Sequence, residues 1–204
     1  VVFNDVADYQ VRIETAPDVM VFTSGGVETS SADGVTVFAA EGLRDFAVVA
    51  GRTLRVEQKE VRSTTIRSVF TPEHATVGRR VLTIAEEAVK LFTDRFGPLP
   101  LKTITIAEAP LVAGLGSTEF SGLEVIAAAY YIDFDSPAVR ALPEIIREQR
   151  PAVEESLEWS VARLTAHQWW GNIVAWRSYR DQWLSEGFAE YSGILYPGLR
   201  DRQG

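Results

Sequence analysis

The chain has 204 residues, 46% of them hydrophobic and 24% charged, enough for one substantial core and a smaller second one. A formal net charge of -8 opposes a phosphate backbone, whose affinity depends on Lys and Arg displacing counterions, so no nucleic-acid role is indicated. The longest apolar run, Val125 to Ile132, is far short of the about 20 residues of a membrane-spanning helix, and the absence of cysteine excludes disulfides, thiolate metal sites and a cysteine nucleophile.

From Tyr9 to Phe70 the sequence alternates in short runs rich in Val, Thr, Ile and Phe, such as Tyr9 to Thr15, Val19 to Thr23, Val35 to Ala40 and Thr53 to Val61. Turn-forming clusters separate them (Ser24-Gly25-Gly26, Ala32-Asp33-Gly34, Ala50-Gly51), and together they predict antiparallel sheet. At Phe70 the period changes. Thr71 can cap a helix, Pro72 suits its first position, and Val77, Val81, Ile84, Ala88, Leu91 and Phe92 form an apolar stripe that Gly97-Pro98 ends.

Leu101 to Ala107 alternates again as a strand, followed by a loop with Gly114-Leu115-Gly116 and a strand from Glu124 to Ile132. Pro143 and Pro151 punctuate a region of mixed helix, a long helix is expected from Pro151 to Trp170, and another from Gln182 to Leu195 with Asp181 as its cap. Sheet first and helices later predicts an α+β arrangement. The chain is expected to be a soluble domain and a piece of a longer parent polypeptide, because no initiating Met or signal pattern opens it and a helical pattern has only just ended at its other limit.

Only two histidines occur, His74 and His167. His74 is expected in an ordinary surface role at the start of the first helix, and the five Trp residues, all between Trp159 and Trp183, in a packed aromatic core. His167 stands in Arg163-Leu164-Thr165-Ala166-His167-Gln168-Trp169-Trp170-Gly171-Asn172. Nineteen positions after it, Glu186 lies in Trp183-Leu184-Ser185-Glu186-Gly187-Phe188-Ala189-Glu190-Tyr191.

These two blocks, at this separation, resemble the gluzincin peptidases of the aminopeptidase N family. Those enzymes carry H-E-x-x-H on one helix and a third ligand, Glu, on the next. The resemblance implies a thermolysin-like catalytic domain with zinc as its cofactor. Residues 1–52 would be the end of an N-terminal β domain, on the strength of the Asn4 to Tyr9 and Arg44 to Ala47 segments. Residues 53–204 would be the N-terminal part of the peptidase domain. His167 and Glu186 fall on metal-ligand positions. The family's G-x-M-E-N loop, whose Glu holds the free amine of a peptide N-terminus, is matched only as G-x-x-E-aromatic by Gly116-Ser117-Thr118-Glu119-Phe120, its Met and Asn being absent; this makes Glu119 the candidate substrate-binding carboxylate and Glu124 a weaker alternative.

Two positions depart from the pattern. Arg163 stands where the first zinc ligand belongs, and Leu164 where the general base belongs. A guanidinium has no lone pair to give a metal, and Leu cannot move a proton. A catalytic zinc normally has three protein ligands and a water, so His167 and Glu186 alone form an incomplete set. The expectation is a domain in which zinc is absent or weakly held, Arg163 pairs with Glu186, and hydrolysis has given way to a scaffold or peptide-binding role. The alternative is an active zinc-dependent aminopeptidase completed by residues outside these 204.

Overall fold

The computed structural model describes residues 5–32, 34–111 and 116–202. Asn4 and the Gly114-Leu115 part of the expected loop lie outside them. The strands are β1 (Ala7–Glu14), β2 (Met20–Thr23), β3 (Val27–Ala32), β4 (Val35–Leu43), β5 (Val48–Gly51), β6 (Arg55–Val61), β7 (Thr64–Phe70), β8 (Thr103–Ala109), β9 (Ser117–Phe120) and β10 (Leu123–Ala127). The helices are α1 (Ala75–Phe96), two single turns α2 (Pro137–Arg140) and α3 (Glu144–Arg147), α4 (Arg150–His167) and α5 (Gln182–Arg200). The arrangement is α+β.

Three sheets form. β1, β4 and β3 make an antiparallel sheet with β4 in the middle, and β2 pairs antiparallel with β5. The third sheet is mixed, in the order β6-β7-β8-β10-β9: β7, β8 and β10 run parallel, and both edges are antiparallel. The segment to Phe70 therefore contributes its last strand, β7, to a parallel pairing with β8, which a purely antiparallel reading of that segment did not contain.

Side-chain alternation sends residues of the large sheet to two cores. Ile66, Phe70, Ile104, Ile106 and Ile126 face α1, α4 and α5 in the main core, while Val69, Leu123 and Val125 face Phe22 and the small sheets. The apolar stripe expected of α1 is the one it buries. The helix is entered through a 3₁₀ turn over Pro72–His74 and ends at Gly97, and Thr71 does not cap it through its side chain. α5 is tied to α1 by Tyr196, fully buried, whose hydroxyl donates to Glu87 over 2.7 Å.

Several boundaries differ from the sequence expectation. The strand from Glu124 stops at Ala127, because Ala128–Tyr130 closes into a 3₁₀ turn, and α5 runs past Leu195 to Arg200 with Pro197 inside it. The Trp cluster is only partly core. Trp169 is buried and meets Phe92 and Phe96 edge-on, but Trp183 is 67% exposed.

Candidate functional site

α4 is the backbone of the site. Arg163 and His167 are four residues apart on it and share a face, while Leu164, the next residue round the helix, is fully buried in the main core. The Trp-rich segment that follows anchors the end of α4. Trp169 donates its indole N–H to the carbonyl of Gly97 over 3.0 Å, and Trp170 stacks on Phe188 of α5 with ring centroids 5.0 Å apart. These contacts fix α4 against α1 on one side and α5 on the other.

Gln168 and Asn172 then fasten the β9–β10 hairpin. The turn of that hairpin needs Gly122, which adopts φ +73° and where a Cβ would lie 2.7 Å from the backbone of Gly25. Gly122 N–H donates to Gln168 Oε1 over 2.9 Å, and Gln168 Nε2 donates to the Phe120 carbonyl over 3.2 Å. Asn172 Nδ2 donates to the same Gln168 oxygen, and the Asn172 carbonyl accepts from Arg44 Nε. Sequence reasoning noticed this block as a motif but gave these two side chains no role. Apart from the bond between the two, their partners lie more than forty positions upstream, where only the fold brings them near.

Held this way, β9 points Glu119 at α4. Four charged or titratable side chains from three elements converge: Glu119 of β9, Arg163 and His167 of α4, and Glu186 of α5. His167 is 4% exposed and Arg163 14%. The ring orientation of His167 follows from its Nδ1, which lies 3.0 Å from the Trp170 carbonyl; a carbonyl only accepts, so Nδ1 carries the hydrogen. Its Nε2 faces Arg163 Nη1 at 3.0 Å, Glu186 Oε2 at 3.4 Å and Glu119 Oε1 at 3.7 Å.

The guanidinium closes the cluster. Besides His167, it lies 3.5 Å from Glu119 Oε2 through Nη2 and 4.0 Å from Glu186 Oε2 through Nη1. Its carbon sits 5.5 Å from the centre of the Trp159 ring. The pairing expected with Glu186 alone is thus one of three contacts, and the shortest is to the imidazole. The close approach of α5 depends on Gly193, where a Cβ would lie 3.1 Å from the Cβ of Arg163. The contact with His167, and behind it the charge of Arg163, hold the Glu186 carboxyl below the usual carboxylate range, against the opposing pull of its partial burial.

Glu124 is the cross-strand neighbour of Glu119 and faces the same side of the sheet. It is fully buried, with Thr165 Oγ1 3.4 Å from its Oε2 and no partner for Oε1. Burial pushes its carboxyl well above the usual range, an effect the Thr165 hydroxyl opposes and the charge of Glu119 reinforces. Fully enclosed, Glu124 offers no open face to a substrate's amine.

Glu119, His167 and Glu186 offer three potential metal donors within 4.8 Å of one another, the one such cluster among the described residues. The fit to zinc fails on what else is there. Zinc binds N and O donors at about 2.0–2.2 Å and needs their lone pairs free, whereas Nε2 of His167 already faces a permanently cationic group 3.0 Å away. As arranged, the residues hold a guanidinium where an ion would have to sit.

His74 is not an ordinary surface residue. Its Nδ1 lies 2.7 Å from Glu108 Oε1, and Glu108, 4% exposed, also accepts the Thr71 backbone N–H over 3.0 Å and stands within reach of the Thr71 hydroxyl. Glu108 pins the entry of α1 to the end of β8. The partner lies thirty-four positions away, which no local pattern reveals.

No protein-family model matches the chain. Over 152 residues, 73% of the chain, it is 29% identical to aminopeptidase M1-B of Oryza sativa subsp. japonica, and over 150 residues it is 30% identical to aminopeptidase M1-A of the same organism. A shorter stretch of 35 residues is 55% identical to aminopeptidase Ey of Gallus gallus. Over part of its length the chain is thus similar to proteins named as aminopeptidases. The chain spans 16% of the length of the two Oryza sativa proteins. Among the described residues no helix is long and apolar enough to cross a membrane.

Proposed function

We propose that the chain is part of an aminopeptidase N-like zinc peptidase domain that has lost peptide hydrolysis and serves as a scaffold or peptide-binding module within a longer protein. In this reading residues 1–52 end an N-terminal β domain and residues 53–204 begin a thermolysin-like domain. The observation that carries it is the guanidinium of Arg163 at 3.0 Å from the imidazole nitrogen that would have to bind metal. Leu164 supports it. At the position of the general base, an aliphatic side chain sits in the main core, and no carboxylate is left there to take a proton from water.

A peptide N-terminus is the partner a carboxylate at Glu119 suits, but it would meet Arg163 already paired with that carboxylate. The scaffold role is therefore the part of the proposal the geometry supports best.

The test is turnover of aminoacyl-chromophore substrates by the full-length protein, with and without a chelator. The expected result is no chelator-sensitive turnover in the unaltered protein, and a gain of zinc binding with measurable turnover in the double variant Arg163→His, Leu164→Glu. Chelator-sensitive hydrolysis by the unaltered protein would contradict the proposal.

A further inference from the structure

The charge cluster has a feature that loss of a metal ligand does not account for: the cation it holds is built in. Two carboxylates and one imidazole from β9, α4 and α5 surround the Arg163 guanidinium. The imidazole turns its Nε2 to it, because Nδ1 is already committed to the Trp170 carbonyl. The Trp159 ring lies on one side of it at 5.5 Å, a geometry in which an aromatic quadrupole favours a planar cation. Gly193 leaves room for α5 to close over the stem. The surroundings suit a flat cation lying along the Trp159 ring better than they suit a spherical ion or an ammonium. Among the described residues only Nη1 of the guanidinium has a hydrogen-bond partner, and its Nε–H is buried without one.

We infer that Glu119, His167, Glu186 and Trp159 form a guanidinium-binding pocket whose resident ligand is the side chain of Arg163, and that removing this side chain turns the pocket into a receptor for a free alkylguanidinium. The inference rests on the proposed loss of the metal centre and adds to it the class of ligand the site selects. It also gives Glu119 a part in the folded state. Rather than waiting for a substrate, it ties the β9 edge to α4 through the guanidinium.

The experiment uses the full-length protein and its Arg163→Ala variant. N-ethylguanidinium replaces the atoms removed, and N-ethylurea serves as a neutral control of the same shape. The variant is expected to melt several degrees lower than the unaltered protein. N-ethylguanidinium is expected to raise its Tm saturably by about 3 °C, with no saturable rise for the unaltered protein and none for N-ethylurea in either. Equal responses to the two additives would overturn the inference, as would zinc stabilising the variant while N-ethylguanidinium does not. Zinc bound by the unaltered protein would instead sink the proposed loss of the metal centre along with it.

Should the variant fail to fold, nitrogen-15 spectra of the unaltered protein give the same decision. A held guanidinium yields a slowly exchanging, resolved Arg163 Nε–H and distinct Nη signals, and substitution of Glu119→Gln shifts them. An averaged, rapidly exchanging signal that ignores Glu119→Gln would refute the pocket.

Discussion

The chain has two histidines, and the fold puts each beside a carboxylate to different ends. His74 and Glu108 form a closed arrangement: one buried acid gathers an imidazole, a backbone N–H and a hydroxyl, and every contact serves to seat the start of α1 on the large sheet. His167 faces the opposite situation, with two acids and a guanidinium around one nitrogen, the outermost acid, Glu186, half exposed. The first cluster carries as much order as its position requires. The second keeps charges together where Glu186 reaches solvent. An acid–histidine contact is therefore not a signature of function by itself; what surrounds the free ring nitrogen decides.

That contrast yields predictions of graded size. Replacing Glu108 by Ala leaves a part-buried backbone N–H and the His74 ring without their acceptor and should cost about 2–3 kcal/mol in denaturant unfolding. A cost below about 1 kcal/mol would mean the α1 staple is not structural. Next comes Gln168→Ala. It strands the Gly122 N–H and the Phe120 carbonyl in the hairpin that carries Glu119, and a loss of about 2 kcal/mol is expected, with hydrogen exchange rising first at Gly122.

Gly193→Ala forces a methyl against the stem of Arg163 and should cost about 1 kcal/mol. Because the clash is with the Cβ, Cα and N of Arg163, atoms that alanine keeps, a double variant with Arg163→Ala should show about the sum of the two effects. The smallest effect is expected of Glu186→Gln, about 0.5 kcal/mol or less at neutral pH, since solvent screens a half-exposed acid. The sign of its pH dependence is fixed by the depressed pKa of Glu186 in the fold. The folded state binds fewer protons than the unfolded one, so the stabilisation is present above the ordinary carboxylate pKa of about 4.3 and disappears as the pH falls through the lower, folded value. Melting curves of both proteins should therefore converge in acid; divergence there would mean the acid acts through something other than its charge.

How much of this was legible beforehand follows from the range of each interaction. The stripe of α1 and the alternation of β1 and β4 are local patterns, and they were readable. β3, Val-Glu-Thr-Ser-Ser-Ala, has almost no apolar alternation; it is a strand because β4 pairs with it. β7 follows β6 through a turn in which Arg62, not a glycine, takes φ 55°, so no turn signal separates them. In the site, the placement of Arg163 and His167 on one helical face came from their spacing, and the convergence of His167 with Glu186 came from a family resemblance. The contact of Glu119 with Arg163, the anchoring by Gln168 and Asn172, and the staple of His74 on Glu108 depend on strand order and hairpin placement, which no window of sequence contains.

The most direct test of the central claim is anomalous diffraction at the zinc edge from crystals of the unaltered protein equilibrated with zinc. The account predicts guanidinium density between Glu119, His167 and Glu186 and no anomalous peak among them. An anomalous peak bridging His167 and Glu186, with Arg163 turned out to solvent, would contradict it.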